Sequence, residues 1–244
     1  MASLFKRPNY FLGIYMRIIF FLIILIISSI TSNGNVILLQ DFNNREIPLS
    51  TNTILVTGFG PFHTYDTNPS QIVVEAINGT VRENYSIVSW VLPIDFEKAP
   101  AIIKELIDIH QPKLVIMLGL APNATSIRLE TLAINLQYDP YIPKPIQSIK
   151  LIHKGGPFLI PSNLDSIKSY QMIKDKQIPV DISFSAGWYL CNTVFYKTTY
   201  YISQNMQDIR SGFIHIPQFK QDNPNGLTLE MMIDALDCIL SANT

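Results

Sequence analysis

The sequence predicts an α/β protein, a three-layer αβα sandwich with a mostly parallel, twisted central sheet. Short apolar runs recur along the chain, and amphipathic stretches with helical spacing separate them. Strands that alternate with helices are typical of a sheet covered on both faces. The chain has 244 residues, which is enough for one such domain with a complete core.

The N-terminus has a different composition from the rest of the chain. Lys6, Arg7 and Arg17 precede the apolar run 18–27, and small polar residues follow it. This order is typical of a secretory signal peptide, which we predict over residues 1–34. A signal anchor is the alternative, but the run after Arg17 is shorter than the roughly 20 residues of a membrane-spanning helix.

A secretory leader predicts that the protein is secreted or lies in the lumen of the secretory or lysosomal pathway. If the leader remains uncleaved as an anchor, the protein is held at a membrane. Sequons at Asn78, Asn84 and Asn123 predict a glycoprotein. Residues 35–52 are predicted to be a polar, loosely structured spacer, and 53–244 the main domain.

The first part of this domain alternates strands with helices. Asn68 is a favourable helix cap, and Pro69 suits the first helical turn. In chain order we predict a strand at 54–56, a loop at 58–62, a helix after Asn68 with Ile72, Val73, Ala76 and Ile77 as its apolar stripe, a strand at 85–93, a helix at 97–110, a buried strand at 114–118 and a strand at 129–136.

The second part begins with an irregular, proline-rich stretch at 137–163. We then predict a strand at 182–184, a helix at 189–201, a strand at 213–216 and a closing helix at 227–240 whose core face is Leu229, Met232, Ile233, Leu236 and Ile239 or Leu240. In such folds the loops at the carboxyl ends of the strands hold the functional site.

Cys191 is the candidate nucleophile. Ser185-Ala186-Gly187 predicts a tight turn directly into a helix, and a thiol near a helix N-terminus is favoured as thiolate. The amides of this turn are also candidates for stabilising an oxyanion. A thiol that only fills the core is the alternative. Cys238 is predicted to be core filler, with an intermolecular disulfide as its alternative.

His215 is the candidate base, because it follows an apolar run and precedes Pro217 at the end of a predicted strand. A hydrogen-bonded core histidine is the alternative. His63 is the rival base, since it flanks the first loop. Glu130 lies in an otherwise apolar segment, where a buried carboxylate needs a partner such as an imidazolium. Alternation equally allows Glu130 to face solvent.

Two aromatic rings of the first loop are candidates for ligand binding. Phe59 and Phe62 flank Gly60 and Pro61 in the first loop, where they are able to sandwich a flat, uncharged ring or to anchor the loop on the core.

The net charge is −1, and the sequence has no basic run, zinc spacing or RNA-binding signature. We therefore expect no nucleic-acid partner.

Four motifs together resemble the pyroglutamyl peptidase I (pyrrolidone-carboxylate peptidase) family of cysteine peptidases, and the resemblance runs from about residue 53 to 240. The motifs are Thr57–Phe62 with Asn68-Pro69-Ser70, the segment from Gly119 through Glu130 to Ala133 and Asn135, Ser185–Asn192, and Phe213–Pro217.

The resemblance implies a thiol protease, an omega peptidase that removes N-terminal pyroglutamate from peptides through a thioester. The catalytic residues it implies are Glu130, Cys191 and His215, and the substrate-binding residues are Phe59, Phe62 and Asn68. Cys191 would attack the carbonyl, His215 would act as base and then as acid, and Glu130 would orient the imidazole. It implies no metal and no cofactor, and it leaves open a homo-oligomer.

The chain departs from the family pattern at three places. Thr131 replaces a basic residue, Pro140 replaces an arginine, and His63-Thr64 replaces glycines. Two alternatives to an active peptidase follow. One is a catalytically weak relative that binds pyroglutamyl peptides without processing them. The other is a hydrolase whose specificity has shifted through the altered region 137–143.

Overall fold

The computed structural model describes residues 52–244, except for Thr64, 141–148 and Gln207, together with two short strands before them. Residues 1–34 lie outside the described residues, so the signal peptide and the signal anchor stay predictions. Residues 1–49 and 50–244 form separate units, and the boundaries of the spacer and the main domain also stay predictions.

Within the described residues of the first unit, β1 (Leu38–Gln40) pairs in an antiparallel arrangement with β2 (Glu46–Pro48). The structure therefore differs from the loosely structured spacer predicted over 35–52.

A seven-stranded sheet forms the centre of the second unit. Its strands in chain order are β3 (Thr53–Phe59), β4 (Val81–Arg82), β5 (Tyr85–Leu92), β6 (Leu114–Leu120), β7 (Ile127–Glu130), β10 (Val180–Ser183) and β11 (Arg210–Ile216). They lie in the order β10-β7-β11-β6-β3-β5-β4. The four central strands are parallel, whereas β4 is antiparallel to β5 and β7 is antiparallel to β11.

Helices cover both faces of this sheet. They are α1 (Pro69–Ile77), α2 (Lys98–His110), α3 (Ser166–Asp175), α4 (Leu190–Asn205) and α5 (Leu229–Asn243). Helix α5 packs on α1 and α3 on one face, and α2 packs on α4 on the other. The predicted three-layer α/β sandwich with a mostly parallel sheet is confirmed. No helix among the described residues combines the length and apolar character needed to cross a bilayer.

The strand predicted at 129–136 is wrong as a single element. The chain leaves the central sheet at Thr131, whose amide donates to the Ser183 carbonyl and whose carbonyl accepts from the Ser162 amide. After this residue β8 (Leu132–Ile134) pairs with β9 (Leu159–Pro161) in a small separate sheet. One apolar segment thus supplies strands to two sheets, and its local sequence pattern does not show where it divides.

Three smaller differences concern the first helix, the first loop and helix α3. On α1, Val73, Val74 and Ile77 are buried while Ala76 is exposed, so the stripe is rotated from the predicted one. Strand β3 continues through Phe59, which the sequence places in a loop. Helix α3 was not predicted, because its sequence is polar on average and Ile173 is its one buried apolar side chain.

Candidate active site

The thiol of Cys191 lies in the first turn of α4. Gly187 has φ = +78°, a conformation that suits glycine, and the chain then extends through Tyr189 before the helix begins at Leu190. The amides of a first helical turn have no partner inside the helix and form its positive end. Cys191 is half-buried there, so the predicted position of the thiol is observed.

The amides of the loop Ser185-Ala186-Gly187, which the sequence suggests as oxyanion donors, are partly engaged in hydrogen bonds within the loop. The Ser185 amide donates to Ser183 Oγ (3.4 Å), and the Gly187 amide donates to Ser185 Oγ (3.2 Å). Two of the three amides proposed as oxyanion donors are therefore engaged within the loop. The first-turn amides of α4, next to the thiol, are the better-placed donors.

Asn192 holds this end of α4 in place. Its Nδ2 donates to the carbonyls of Ile134 and Leu136 (both 2.8 Å), and its Oδ1 accepts from the Ile134 amide (2.9 Å). Asn192 is completely buried. The residue after the thiol is thus fastened to β8, just beyond the segment that carries Glu130. Sequence reasoning did not assign Asn192 this role, although it stands next to Cys191 in the motif.

His215 lies near the end of β11, is 8 % exposed, hydrogen-bonds Glu130 and lies close enough to Cys191 for the two side chains to interact electrostatically. Its Nδ1 is 2.8 Å from Glu130 Oε1, so the other ring nitrogen is available to the thiol. Burial pulls the pKa of His215 down, but hydrogen bonds and negative charge from Cys191 and then Glu130 outweigh it and raise the pKa from 6.5 to about 9.

Glu130 is 2 % exposed, so it does not face solvent. In the antiparallel pair of β7 and β11, Glu130 lies opposite Phe213 and Arg128 lies opposite His215, which makes Glu130 and His215 diagonal neighbours. Glu130 Oε2 is buried without a hydrogen-bond partner in the described part of the chain. The charge of this carboxylate is therefore directed chiefly at the imidazole.

A small apolar pocket opens beside the thiol. Its volume is about 30 Å³, and its lining residues are Phe59, Phe62, Asn68, Ile94, Leu120, Tyr189, Leu190 and Cys191. The three residues expected to bind substrate therefore meet the expected nucleophile. Sequence reasoning missed the other four. Two of them were nevertheless accessible to it, because Leu120 and Ile94 lie at or just beyond the carboxyl ends of β6 and β5, and the functional site of such folds lies at the carboxyl ends of the strands.

Phe59 and Phe62 differ in their settings. Phe59 is 3 % exposed at the end of β3, whereas Phe62 is half-buried in the loop and stacks obliquely on Tyr65. The burial of Phe59 fits the alternative in which this ring anchors the loop on the core. Asn68 caps α1, and its Nδ2 donates to the Gly60 carbonyl (2.9 Å) between the two rings. Both polar ends of Asn68 therefore support the loop.

The remaining candidates do not line the pocket that contains the thiol. His63 is exposed and lines a wider cleft with Phe62, Ile94 and Tyr189, outside the pocket that contains Cys191. Cys238 is a free, buried thiol on α5, which confirms it as core filler in this chain. Pro140 is exposed at the end of a described segment. No group of three metal-ligating side chains occurs within the described residues.

Comparison with known proteins agrees with the family resemblance of the four motifs. A family model described as pyroglutamyl peptidase matches residues 52–242. The pyrrolidone-carboxylate peptidase of Bacillus velezensis is 35% identical over 192 residues, covering 75% of this chain and 88% of that protein. The one from Thermococcus litoralis is 32% identical over 169 residues, covering 67% of this chain and 76% of the other.

Solved structures agree with the sequence relatives. The crystal structure of pyroglutamyl peptidase I from Bacillus amyloliquefaciens has a TM-score of 0.73 at 33% identity, covering 79% of this chain and 94% of its own. The pyrrolidone carboxyl peptidase from Thermococcus litoralis has a TM-score of 0.73 at 28% identity, covering 79% and 93%. The resemblance carried by the four motifs is confirmed, and the chain belongs to the pyroglutamyl peptidase family.

Proposed function

We propose that this chain is a cysteine peptidase that hydrolyses the N-terminal pyroglutamyl group from peptides, with Cys191, His215 and Glu130 as its catalytic residues. The observation that carries the proposal is that His215 hydrogen-bonds Glu130 and interacts with Cys191, and that Cys191 lines an apolar pocket. A nucleophile, a base and an orienting carboxylate are the parts of an acyl-transfer site.

In the first half of the reaction the Cys191 thiolate attacks the pyroglutamyl carbonyl carbon, forming a C–S bond and an oxyanion. The first-turn amides of α4 stabilise this oxyanion. As the intermediate collapses, the C–N bond breaks and protonated His215 gives its proton to the leaving amine. The raised pKa of His215 keeps that proton available at neutral pH.

In the second half, water replaces the peptide. His215, now neutral, takes a proton from the water as its oxygen attacks the thioester carbonyl. The C–S bond then breaks and free pyroglutamate leaves, which restores thiolate beside imidazolium. Glu130 stabilises the imidazolium in both halves. Each step uses only groups of this chain, the substrate and water.

The pocket explains why a blocked N-terminus is preferred. Apart from Asn68 and Cys191, its lining is hydrophobic or aromatic, and both ends of the Asn68 amide already serve the loop. A lactam carries no charge, so it enters this pocket without losing the hydration of an ammonium group. An ordinary peptide N-terminus would lose that hydration without a compensating partner.

The test is release of a fluorophore from a pyroglutamyl amide by the full chain under reducing conditions. Cys191→Ala is expected to abolish turnover, because no other group of the site supplies the nucleophile. Amides of leucine, alanine and proline serve as specificity controls and are expected to remain intact. Absence of turnover from folded, reduced protein would favour a chain that only binds pyroglutamyl peptides, and cleavage of another amide would favour shifted specificity.

We further propose that the protein enters the secretory pathway and carries N-glycans. The leader-like pattern of residues 1–34 supports entry, and exposure of Asn84 and Asn123 on the folded domain supports glycosylation there. Asn78 is half-buried, and its Oδ1 accepts from the Ser89 amide, so we expect it to remain bare. Expression in a eukaryotic secretory host, followed by endoglycosidase digestion of Asn84→Gln and Asn123→Gln, tests both points. Retention of the unglycosylated chain in the cytosol would contradict them.

A further inference from the structure

Gly119 lies in the central sheet beside the reacting groups. It is the residue of β6 directly opposite His215 in the parallel pair of β6 and β11. Side chains alternate between the faces of a strand, so a side chain at this position would point to the face that carries Phe213 and α4. A glycine here removes that side chain from the middle of the site.

The space left by the missing side chain is occupied. A Cβ atom at position 119 would lie 2.7 Å from Phe213 Cζ, 3.0 Å from Phe213 Cε1 and 3.1 Å from Cys191 Sγ. The first distance requires movement, and the other two are tighter than ordinary van der Waals contact. A single methyl group would therefore press on the nucleophile and on an aromatic ring together.

Phe213 has little freedom to move away. It is completely buried, its ring lies 6.0 Å from the ring of Phe195, and it meets the His215 imidazole edge-on at 4.9 Å. Displacing the ring pushes on His215, whereas holding it in place drives the thiol outward. Both responses separate Cys191 from His215, since close-packed interiors transmit such strain.

The requirement at this position is steric and does not come from the backbone. Three glycines of the described chain have positive φ, at positions 79, 155 and 187, and Gly119 is not among them. Its strand conformation is accessible to alanine. Alanine at 119 would thus test only the space that the side chain occupies.

We propose that Gly119 is a positioning residue, whose missing side chain provides the space in which the Cys191 thiol contacts His215. The effect on turnover rests on the proposed function, but the effect on the thiol does not. We expect Gly119→Ala to lower kcat/KM about 100-fold, because a displacement of about 1 Å has that effect on a reacting pair.

The experiment compares iodoacetamide alkylation of Cys191 in the wild type and in Gly119→Ala between pH 5 and 10, with the labelled residue identified by mass spectrometry. The Gly119→Ala thiol is expected to react about tenfold more slowly at pH 6, because its displacement takes it away from the His215 imidazole. In the wild type, the change in alkylation rate near pH 9 reports the titration of His215. In Gly119→Ala this change should occur at lower pH.

Gly212→Ala is the matched control. Gly212 is a buried glycine on β11, and a Cβ there would lie 2.2 Å from Leu164 Cδ1, on the face of the sheet away from Cys191. This variant is expected to lose thermal stability while its folded fraction keeps the wild-type alkylation profile. General loosening of the core is thereby separated from displacement of the thiol.

A double-mutant cycle tests the same contact through stability. Gly119→Ala should lower Tm less in a Cys191→Ala background than in the wild type, because the sulfur it meets is gone. The proposal is overturned if folded Gly119→Ala keeps the wild-type alkylation profile, or if its effect on folding is the same in both backgrounds. If the wild type lacks peptidase activity but Gly119→Ala still changes the alkylation of Cys191 as expected, only the proposed function is overturned.

Discussion

His215 Nδ1 and Glu130 Oε1 lie 2.8 Å apart across two strands that run in opposite directions. Because β7 is antiparallel to β11, Glu130 is a diagonal neighbour of His215 and reaches its ring from the same face of the sheet. Glu130 is 2 % exposed, so its charge acts on the imidazole with little screening by water. Five predictions follow from this pair and its surroundings.

Removal of the Glu130 charge should impair catalysis more than folding. Glu130→Gln keeps the size of the side chain but no longer stabilises an imidazolium, so we expect kcat/KM to fall by about 10²- to 10⁴-fold. Steady-state kinetics with a pyroglutamyl fluorogenic amide measures the effect. Glu75→Gln, at an exposed position of α1, is the control and should retain full activity. Activity near that of the wild type in Glu130→Gln would exclude the assigned role.

The pH dependence of the reaction should report His215. Its pKa is raised from 6.5 to about 9, so the proton required by the leaving amine is present at neutral pH and is lost as the pH rises through about 9. We therefore expect kcat/KM to decline above about pH 9. In Glu130→Gln the decline should begin at lower pH, since one of the groups that raise the pKa is gone. An unchanged upper limb in that variant would contradict this assignment.

Asn192 should be needed for both stability and activity. Asn192→Ala removes three hydrogen bonds at a fully buried position, and each backbone group left unpaired costs roughly 1–3 kcal/mol. We expect a clear fall in Tm together with slower alkylation of Cys191. Asn205→Ala, at the exposed far end of the same helix, removes one hydrogen bond and should change neither.

The two phenylalanines of the pocket should respond differently to truncation. Phe59→Ala opens a cavity beneath the site and is expected to destabilise the fold by about 3–5 kcal/mol. Phe62→Ala, at a half-buried position, should mainly raise KM while changing Tm little. Thermal unfolding and Michaelis–Menten kinetics of both variants distinguish the two effects. Equal loss of stability in both would contradict the difference in burial.

The two cysteines should differ in reactivity in the folded protein. Cys191 is half-buried at the site, whereas burial shields Cys238 and raises the pKa of its thiol. One equivalent of iodoacetamide at neutral pH should label Cys191 alone, and Cys238 should react only after denaturation. Cys238→Ser is expected to retain activity. Mass spectrometry of the labelled peptides provides the measurement, and labelling of native Cys238 would contradict it.

Much of the main domain was predictable because its signals are local. Asn68 and Pro69 mark the start of α1, apolar runs mark β6 and β11, and the order of the motifs indicates the family. Cys191 was placed correctly because a turn with Gly187 leads directly into a helix, and both features are set by neighbouring residues.

Other features depend on contacts between distant segments. The apolar run 129–136 contains nothing that says it divides at Thr131 between two sheets, since that division depends on Ser162 and Ser183. The burial of Phe59 likewise depends on what packs over the end of β3. Local periodicity carries no information about such partners.

The sequence by itself determined the chemistry of this protein: a thiol, an imidazole and a carboxylate in the order of a known family, within an α/β chain. Only the tertiary structure decided which face Glu130 occupies, that Asn192 fastens the start of α4, and that Gly119 faces the thiol. The physical reason is that residue type and spacing act along the chain, whereas the direction and register of paired strands bring together residues far apart in it.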